Sequence, residues 1–213
     1  MARLFIACDL PPLVKQRLDR MSWGIQGAKW VTPDSHHITL CFLGDAPPPQ
    51  ISDVIAALAP IKCPPFTLHF DQLNLFGDKK PRNLHVRLGT TEQIKTLQRS
   101  ISHAMRGIGF ELEHRRFVPH VTLARLKNAD PKEVASYLEM MSPLDLPPLA
   151  INGFTLFQSH LAHTGAQYEA LCTFGGDNDI INGVPGQVDY RTGPYLAVDN
   201  KRPSTASSSI SRT

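Results

Sequence analysis

His37-Ile38-Thr39-Leu40-Cys41-Phe42-Leu43-Gly44 and Arg115-Arg116-Phe117-Val118-Pro119-His120-Val121-Thr122-Leu123-Ala124-Arg125 each carry the tetrapeptide H-x-T-L, 83 positions apart. In the first stretch Ile38, Leu40 and Phe42 alternate with His37, Thr39 and Cys41, the pattern of a strand with one apolar face. A repeat of two places His37 and Thr39 on one face, roughly 7 Å apart along the chain, and does the same for His120 and Thr122. One such tetrapeptide is most simply a half-exposed histidine and threonine on a sheet. Two are harder to dismiss, because two matches among nine histidines are about a one-in-forty event by composition.

Working outward, the same order of elements surrounds each motif. Leu4 to Cys8 forms a short apolar run, Pro11-Pro12 suits a helix start, and Leu13, Val14, Leu18 and Met21 keep helical spacing as far as Gly24. A turn at Thr32–Ser35 leads into the first H-x-T-L run, and a helix over 50–59 follows it. Phe66 to Phe76 and Leu84 to Leu88 alternate as strands. A helix over 91–106 buries Ile94, Leu97, Ile101 and Met105 and stops at Gly107 and Gly109. Val118 to Leu126 is the second H-x-T-L strand, Asp130-Pro131 caps and opens a helix through Leu138, and 149–158 with 167–174 form a closing strand pair. The recurrence suggests two related lobes.

At 213 residues, 42% hydrophobic and 19% charged, the chain can bury one ordinary core. A formal charge of +3 supports no general polyanion-binding surface, although a modest excess can gather in one cleft. Cys8, Cys41, Cys63 and Cys172 include no C-x-x-C pair and read as reduced core thiols of a cytoplasmic protein. Neither a signal peptide nor a membrane-spanning apolar stretch is present, so a membrane association is not expected. From Gly175 the composition turns to Gly, Pro, Asp, Asn and Ser. Residues 1–176 are expected to form the folded domain and 177–213 a largely disordered tail, within which Val188–Val198 has enough apolar residues to dock.

Two His-Thr pairs facing each other would put two imidazoles on opposite sides of one small anion, with two hydroxyls completing the cradle. In-line phosphate-ester hydrolysis needs that set: a base on the water side, an acid on the leaving-group side, and donors to the non-bridging oxygens. Imidazole titrates close enough to neutrality to serve in either role, and the scheme requires neither metal nor cofactor. His36 and His37 point to opposite faces and make a poor chelate. His160-x-x-His163 reads as a solvated loop, and Lys79-Lys80-Pro81-Arg82 as a basic hairpin tip, solvated or touching an RNA backbone.

The paired motifs resemble those of the two-histidine phosphoesterase superfamily. The two fuller stretches, with Arg3-Leu4-Phe5-Ile6-Ala7, Phe154–Ser159 and Tyr168, are similar to the bacterial RNA 2′,3′-cyclic phosphodiesterases, also called the 2′-5′ RNA ligase family, over about residues 1–174. The resemblance implies an α+β fold of two pseudo-symmetric lobes, with antiparallel sheets facing a central cleft and helices outside. It implies opening of a terminal 2′,3′-cyclic phosphate of RNA or of a nucleoside to a 2′-phosphate, with His37 as proton donor and His120 as proton acceptor, or the reverse. Thr39 and Thr122 would hold phosphate oxygens. Arg125, beyond Leu123 in the same strand, either adds a charge-assisted phosphate contact or is an exposed strand-end arginine. Family members often carry Trp in the strand after the central loop; here Leu84-His85-Val86-Arg87 stands, leaving His85 either to stack on a base or to sit on a solvated face. RNA ends or nucleoside cyclic phosphates are the expected partners, and the protein is expected to be a monomer. The reverse reaction, joining 2′-phosphate to 5′-hydroxyl ends, and a non-catalytic RNA-binding module are the alternatives.

Overall fold

A computed structural model describes residues 2–77, 81–162, 165–175 and 180–181. The chain runs β1 (Ala2–Asp9), α1 (Pro12–Asp19), β2 (Ala28–Trp30), a 3₁₀ turn (Pro33–Ser35), β3 (His37–Ala46), α2 (Pro48–Leu58), β4 (Phe66–Leu68), β5 (Phe70–Phe76) and β6 (Asn83–Leu88). It continues through α3 (Glu92–Gly107), β7 (His120–Leu126), α4 (Pro131–Met140), β8 (Leu149–Ile151), β9 (Gly153–Ala162), β10 (Gly165–Gly175) and β11 (Ile180–Ile181). The class is α+β, as expected. The helices form where apolar spacing and end signals agree. In α3, Ile94, Leu97, Ile101 and Met105 are buried, and the Thr91 hydroxyl caps the first turn by accepting from the Ile94 amide at 3.4 Å. In α4, Asp130 caps by accepting from the Lys132 amide at 2.8 Å, ahead of Pro131 at the first helical position.

The two lobes do not carry separate sheets. One antiparallel sheet runs β11-β10-β9-β1-β3-β7-β6-β5, and β4 pairs with β8 apart from it. The lobes join at the β3–β7 seam, where the one registered pair is Ile38 with Val121, both fully buried. Beyond that pair the strands splay, and β2 takes the free edge of β7 by pairing Ala28, Lys29 and Trp30 with Leu126, Arg125 and Ala124. This three-residue strand is too short to show a period in the sequence.

A twofold relation through the seam is visible in the registers. On β3, Asp9, Cys8 and Ala7 of β1 face His37, Ile38 and Thr39, a bulge intervenes, and then Ile6 faces Cys41 and Phe5 faces Phe42. On β7, Arg87, Val86 and His85 of β6 face His120, Val121 and Thr122, a bulge intervenes, and then Leu84 faces Ala124 and Asn83 faces Arg125. The burial pattern of residues 37–43 repeats position for position in 120–126. Thus the internal repeat that the tetrapeptides suggest is carried by the backbone, bulges included.

Several expectations shift. Ile180–Ile181, placed in the tail by composition, pair with Phe174 and Thr173 as an added edge strand. His160 lies within β9 rather than in a loop, bonded at 2.9 Å to Glu169 across the β9–β10 pair. Lys79, Lys80, His163 and the segment 188–198 fall outside the described residues. Cys8, Cys41 and Cys63 are buried free thiols, and Cys172 is half-buried. No helix among the described residues is long and apolar enough to cross a membrane.

Candidate active site

His37, Thr39, His120 and Thr122 all lie on the sheet face opposite the buried Ile38 and Val121. Because the seam is antiparallel at Ile38–Val121, His37 stands towards Thr122 and Thr39 towards His120. Ordinary sheet spacing then separates the two histidine α-carbons by a distance on the order of 8 Å. Two imidazoles at that separation can flank one tetrahedral anion.

The rings are held in the same way. His37 Nδ1 donates to the Ser35 carbonyl at 2.8 Å, and His120 Nδ1 donates to the Val118 carbonyl at 2.7 Å. A carbonyl can only accept, so Nδ1 carries the hydrogen in each ring and Nε2 is left facing the site. Local sequence explains both acceptors. The 3₁₀ turn Pro33–Ser35 sets the Ser35 carbonyl, and Pro119 leads the chain extended into His120. His37 Nε2 also meets the Thr39 hydroxyl at 3.0 Å.

Aromatic rings enclose each imidazole. His37 has Phe5 at 4.9 Å and the edge of Tyr168 at 5.2 Å. His120 has Phe76 at 4.9 Å and His85 at 5.0 Å, both edge-on. Burial pushes the His37 pKa down to about 4, assisted by the charges of His120 and Lys15 and opposed by the Ser35 carbonyl and Asp9. Burial also lowers His120, against the opposing hydrogen bond to Val118. Burial therefore favours the neutral form of both rings, and an anion between them would favour protonation of either one.

His85 does not sit on a solvated face, and another ring already covers the face that a base would need. Its position opposite Thr122 puts it on the site face, but Phe76 lies stacked over it at 4.0 Å and leaves it 1% exposed. Its pKa falls to about 4, through burial first and then the charge of His120. Arg125 reaches the site face by a route that simple alternation does not give. Counting by twos from His120 arrives at Ala124, and the bulge after Thr122 moves Arg125 onto the face in its place. Arg125 is exposed, and its twofold counterpart is Phe42, so the site is basic on one side and aromatic on the other.

The sequence reading named Phe5, Tyr168 and the stretch holding Phe157 only as part of the resemblance, and did not place them around the histidines. Phe5, Phe76, Phe157 and Tyr168 come from four strands, and no local pattern joins them. A cleft of about 1330 Å³ opens beside the site, lined by Thr39 and His120 but not by His37, Thr122 or Arg125. Among the described residues no three His, Cys, Asp or Glu side chains gather as a metal site would require.

A model of LigT-like phosphoesterases matches residues 9–85 and 88–168, each segment carrying one H-x-T-L strand. The chain belongs to this family. LigT-like relatives include an RNA 2′,3′-cyclic phosphodiesterase of Bacillus subtilis (strain 168), 34% identical over 155 residues, covering 68% of this chain and 79% of the relative. A Geobacillus stearothermophilus protein of the same name is 29% identical over 177 residues, 80% of this chain and 56% of the relative, so the chain spans little more than half of its length. In three dimensions a Thermus thermophilus protein matches with TM-score 0.68 at 26% identity, over 82% of this chain and 97% of the other. E. coli LigT in complex with 3′-AMP shares the fold, with TM-score 0.64 at 24% identity and the same coverage.

Proposed function

We propose that this LigT-like phosphoesterase opens 2′,3′-cyclic phosphate ends of RNA to 2′-phosphates, using His37 and His120 as an acid–base pair without a metal. The observation that carries this reading is the pair of Nε2 atoms, each freed by an Nδ1–carbonyl hydrogen bond, on one face of the seam. His120 Nε2 takes a proton from water as the water oxygen attacks phosphorus. The P–O3′ bond breaks in line, and O3′ takes its proton from His37 Nε2, leaving the phosphate on O2′. The two rings exchange protonation states in one turnover and are reset by solvent. Thr39 and Thr122 donate to the non-bridging oxygens, and Arg125 adds a charge to the developing dianion.

His37 is assigned the leaving-group side because Phe5, Phe157 and Tyr168 surround it, an apolar wall suited to the ribose and base. The names of the B. subtilis and G. stearothermophilus relatives support the substrate class. We propose further that residues 1–176 constitute the catalytic domain, to which Ile180–Ile181 of the following segment add an edge strand. Incubation with a nucleoside 2′,3′-cyclic phosphate in EDTA, followed by separation of the monophosphate isomers, tests the reading. The 2′-monophosphate is expected; the 3′-isomer, or no turnover, would contradict it.

A further inference from the structure

The cleft beside the site is not needed to hold a cyclic phosphate, and its chemistry is distinct from that of the two His-Thr pairs. It begins where β3 splays from β7, at Thr39 and His120, and follows the Thr39–Phe42 edge of β3. One wall is a face of α3 on which Arg99, His103 and Arg106 recur at positions i, i+4 and i+7. The other wall is the segment 112–118, which has no regular secondary structure and contributes His114, Arg115 and Arg116. Four arginines and two histidines thus face one another in a chain whose formal charge is only +3. Glu113 is the one carboxylate on the lining, 3.3 Å from Arg115, and Arg99 lies 3.8 Å from Glu92. Among the described residues neither Arg106 nor Arg116 has a carboxylate partner. An exposed aromatic ring, Phe42, 65% exposed, stands in the same groove and lies 6.0 Å from Phe5, which in turn touches His37.

We infer that this groove binds the single-stranded RNA that precedes the reactive end: Phe42 stacks on a base, and Arg99 and Arg106 contact the phosphates beyond it. This rests on the proposed function and deepens it by placing the strand that leads to the reactive end along the walls of the cleft. Arginines along a groove with an interleaved aromatic platform suit a single strand, because charge follows the backbone and a flat ring accepts any base. From Arg99 to Arg106 the helix advances roughly 10 Å, enough for more than one backbone phosphate. The route is continuous: the terminal ribose on the aromatic wall of His37, the preceding base on Phe42, and the strand then along α3.

The two kinds of contact leave different signatures. Stacking is insensitive to salt, whereas phosphate contacts release counterions, and each one adds about −0.7 to the slope of log affinity against log salt for a single strand. The test uses a fluorescein-labelled RNA hexamer ending in a 2′-phosphate and measures its affinity by anisotropy at several KCl concentrations. The full-length protein is compared with Phe42→Ala and with the double variant Arg99→Ala/Arg106→Ala. Phe42→Ala is expected to weaken binding about tenfold with an unchanged slope. The double variant is expected to make the slope shallower by about 1.4. A hexamer that binds no better than a nucleoside 2′-monophosphate, or a slope untouched in the double variant, overturns the inference. Failure of the proposed reaction is read separately, as no hydrolysis of a nucleoside 2′,3′-cyclic phosphate, and leaves these binding outcomes intact.

Discussion

Replacing His36 with leucine is expected to stabilise this protein, and most strongly in acid. His36 is fully buried, and neither ring nitrogen has a hydrogen-bond partner in the protein. A buried polar atom without a partner costs about 1–3 kcal/mol, whereas leucine fills a similar volume with no polar atom. Burial, with the charges of His37 and Lys15, lowers the His36 pKa to about 4 from its ordinary 6.5. The folded-state pKa lies below the unfolded one, so between pH 6.5 and 4 the unfolded chain binds the extra proton and stability falls as pH falls. The full displacement corresponds to about 3 kcal/mol, a large share of the roughly 5–15 kcal/mol that a domain typically has. Urea unfolding followed by far-UV circular dichroism at pH 7.5 and 4.5 measures both effects. His36→Leu should raise the midpoint by an amount equivalent to about 1–3 kcal/mol at pH 7.5, with an unchanged m-value, and the gap should widen at pH 4.5. His85 remains buried in the variant, so some acid sensitivity persists. A variant no more stable than the parent at pH 7.5, with an equal loss at pH 4.5, would refute the reasoning.

Other outcomes follow from the site. Burial holds both His37 and His120 below the ordinary 6.5, so under the proposed mechanism the pH profile of kcat/KM for a nucleoside 2′,3′-cyclic phosphate should peak on the acid side of 6.5 and fall steadily towards pH 8; a maximum above pH 7 would contradict the burial argument. Thr39→Val and Thr122→Val should each lower kcat about 10²-fold with little change in fold by circular dichroism, whereas an unaltered kcat would remove the hydroxyls from the oxyanion contacts. Arg125→Ala should lower kcat/KM by tenfold or more, as loss of a charge-assisted phosphate contact requires, and equal activity would return Arg125 to the role of an exposed strand arginine. Phe76→Ala should uncover His85 and loosen His120, seen as an upward movement of the optimum in the same pH profile.

How far the sequence could be read depended on the range of the interaction. The α3 core positions and the Asp130-Pro131 helix start were legible because they are fixed within a few residues. The paired His-Thr faces were legible for the same reason, as two residues on a strand share a face without any help from the rest of the fold. The joining of both lobes into one sheet was not, because it rests on one registered pair at Ile38–Val121 and on the short β2. Arg125 was found despite alternation, since the bulge that turns it towards the site is invisible in β7 alone and emerges from the pairing with β6. His85 was misjudged because its cover, Phe76, lies on the neighbouring strand. The arginine face of α3 was the readable feature left unread: Arg99, His103 and Arg106 keep helical spacing in the sequence itself.

The paired roles of His37 and His120 face their most direct test in single-turnover hydrolysis of a nucleoside 2′,3′-cyclic phosphate by the protein and by His37→Ala and His120→Ala, each shown to be folded. The account predicts that either substitution removes nearly all of the rate and that the double variant is scarcely slower than the singles. A single variant that retains the parent rate would show that one imidazole suffices.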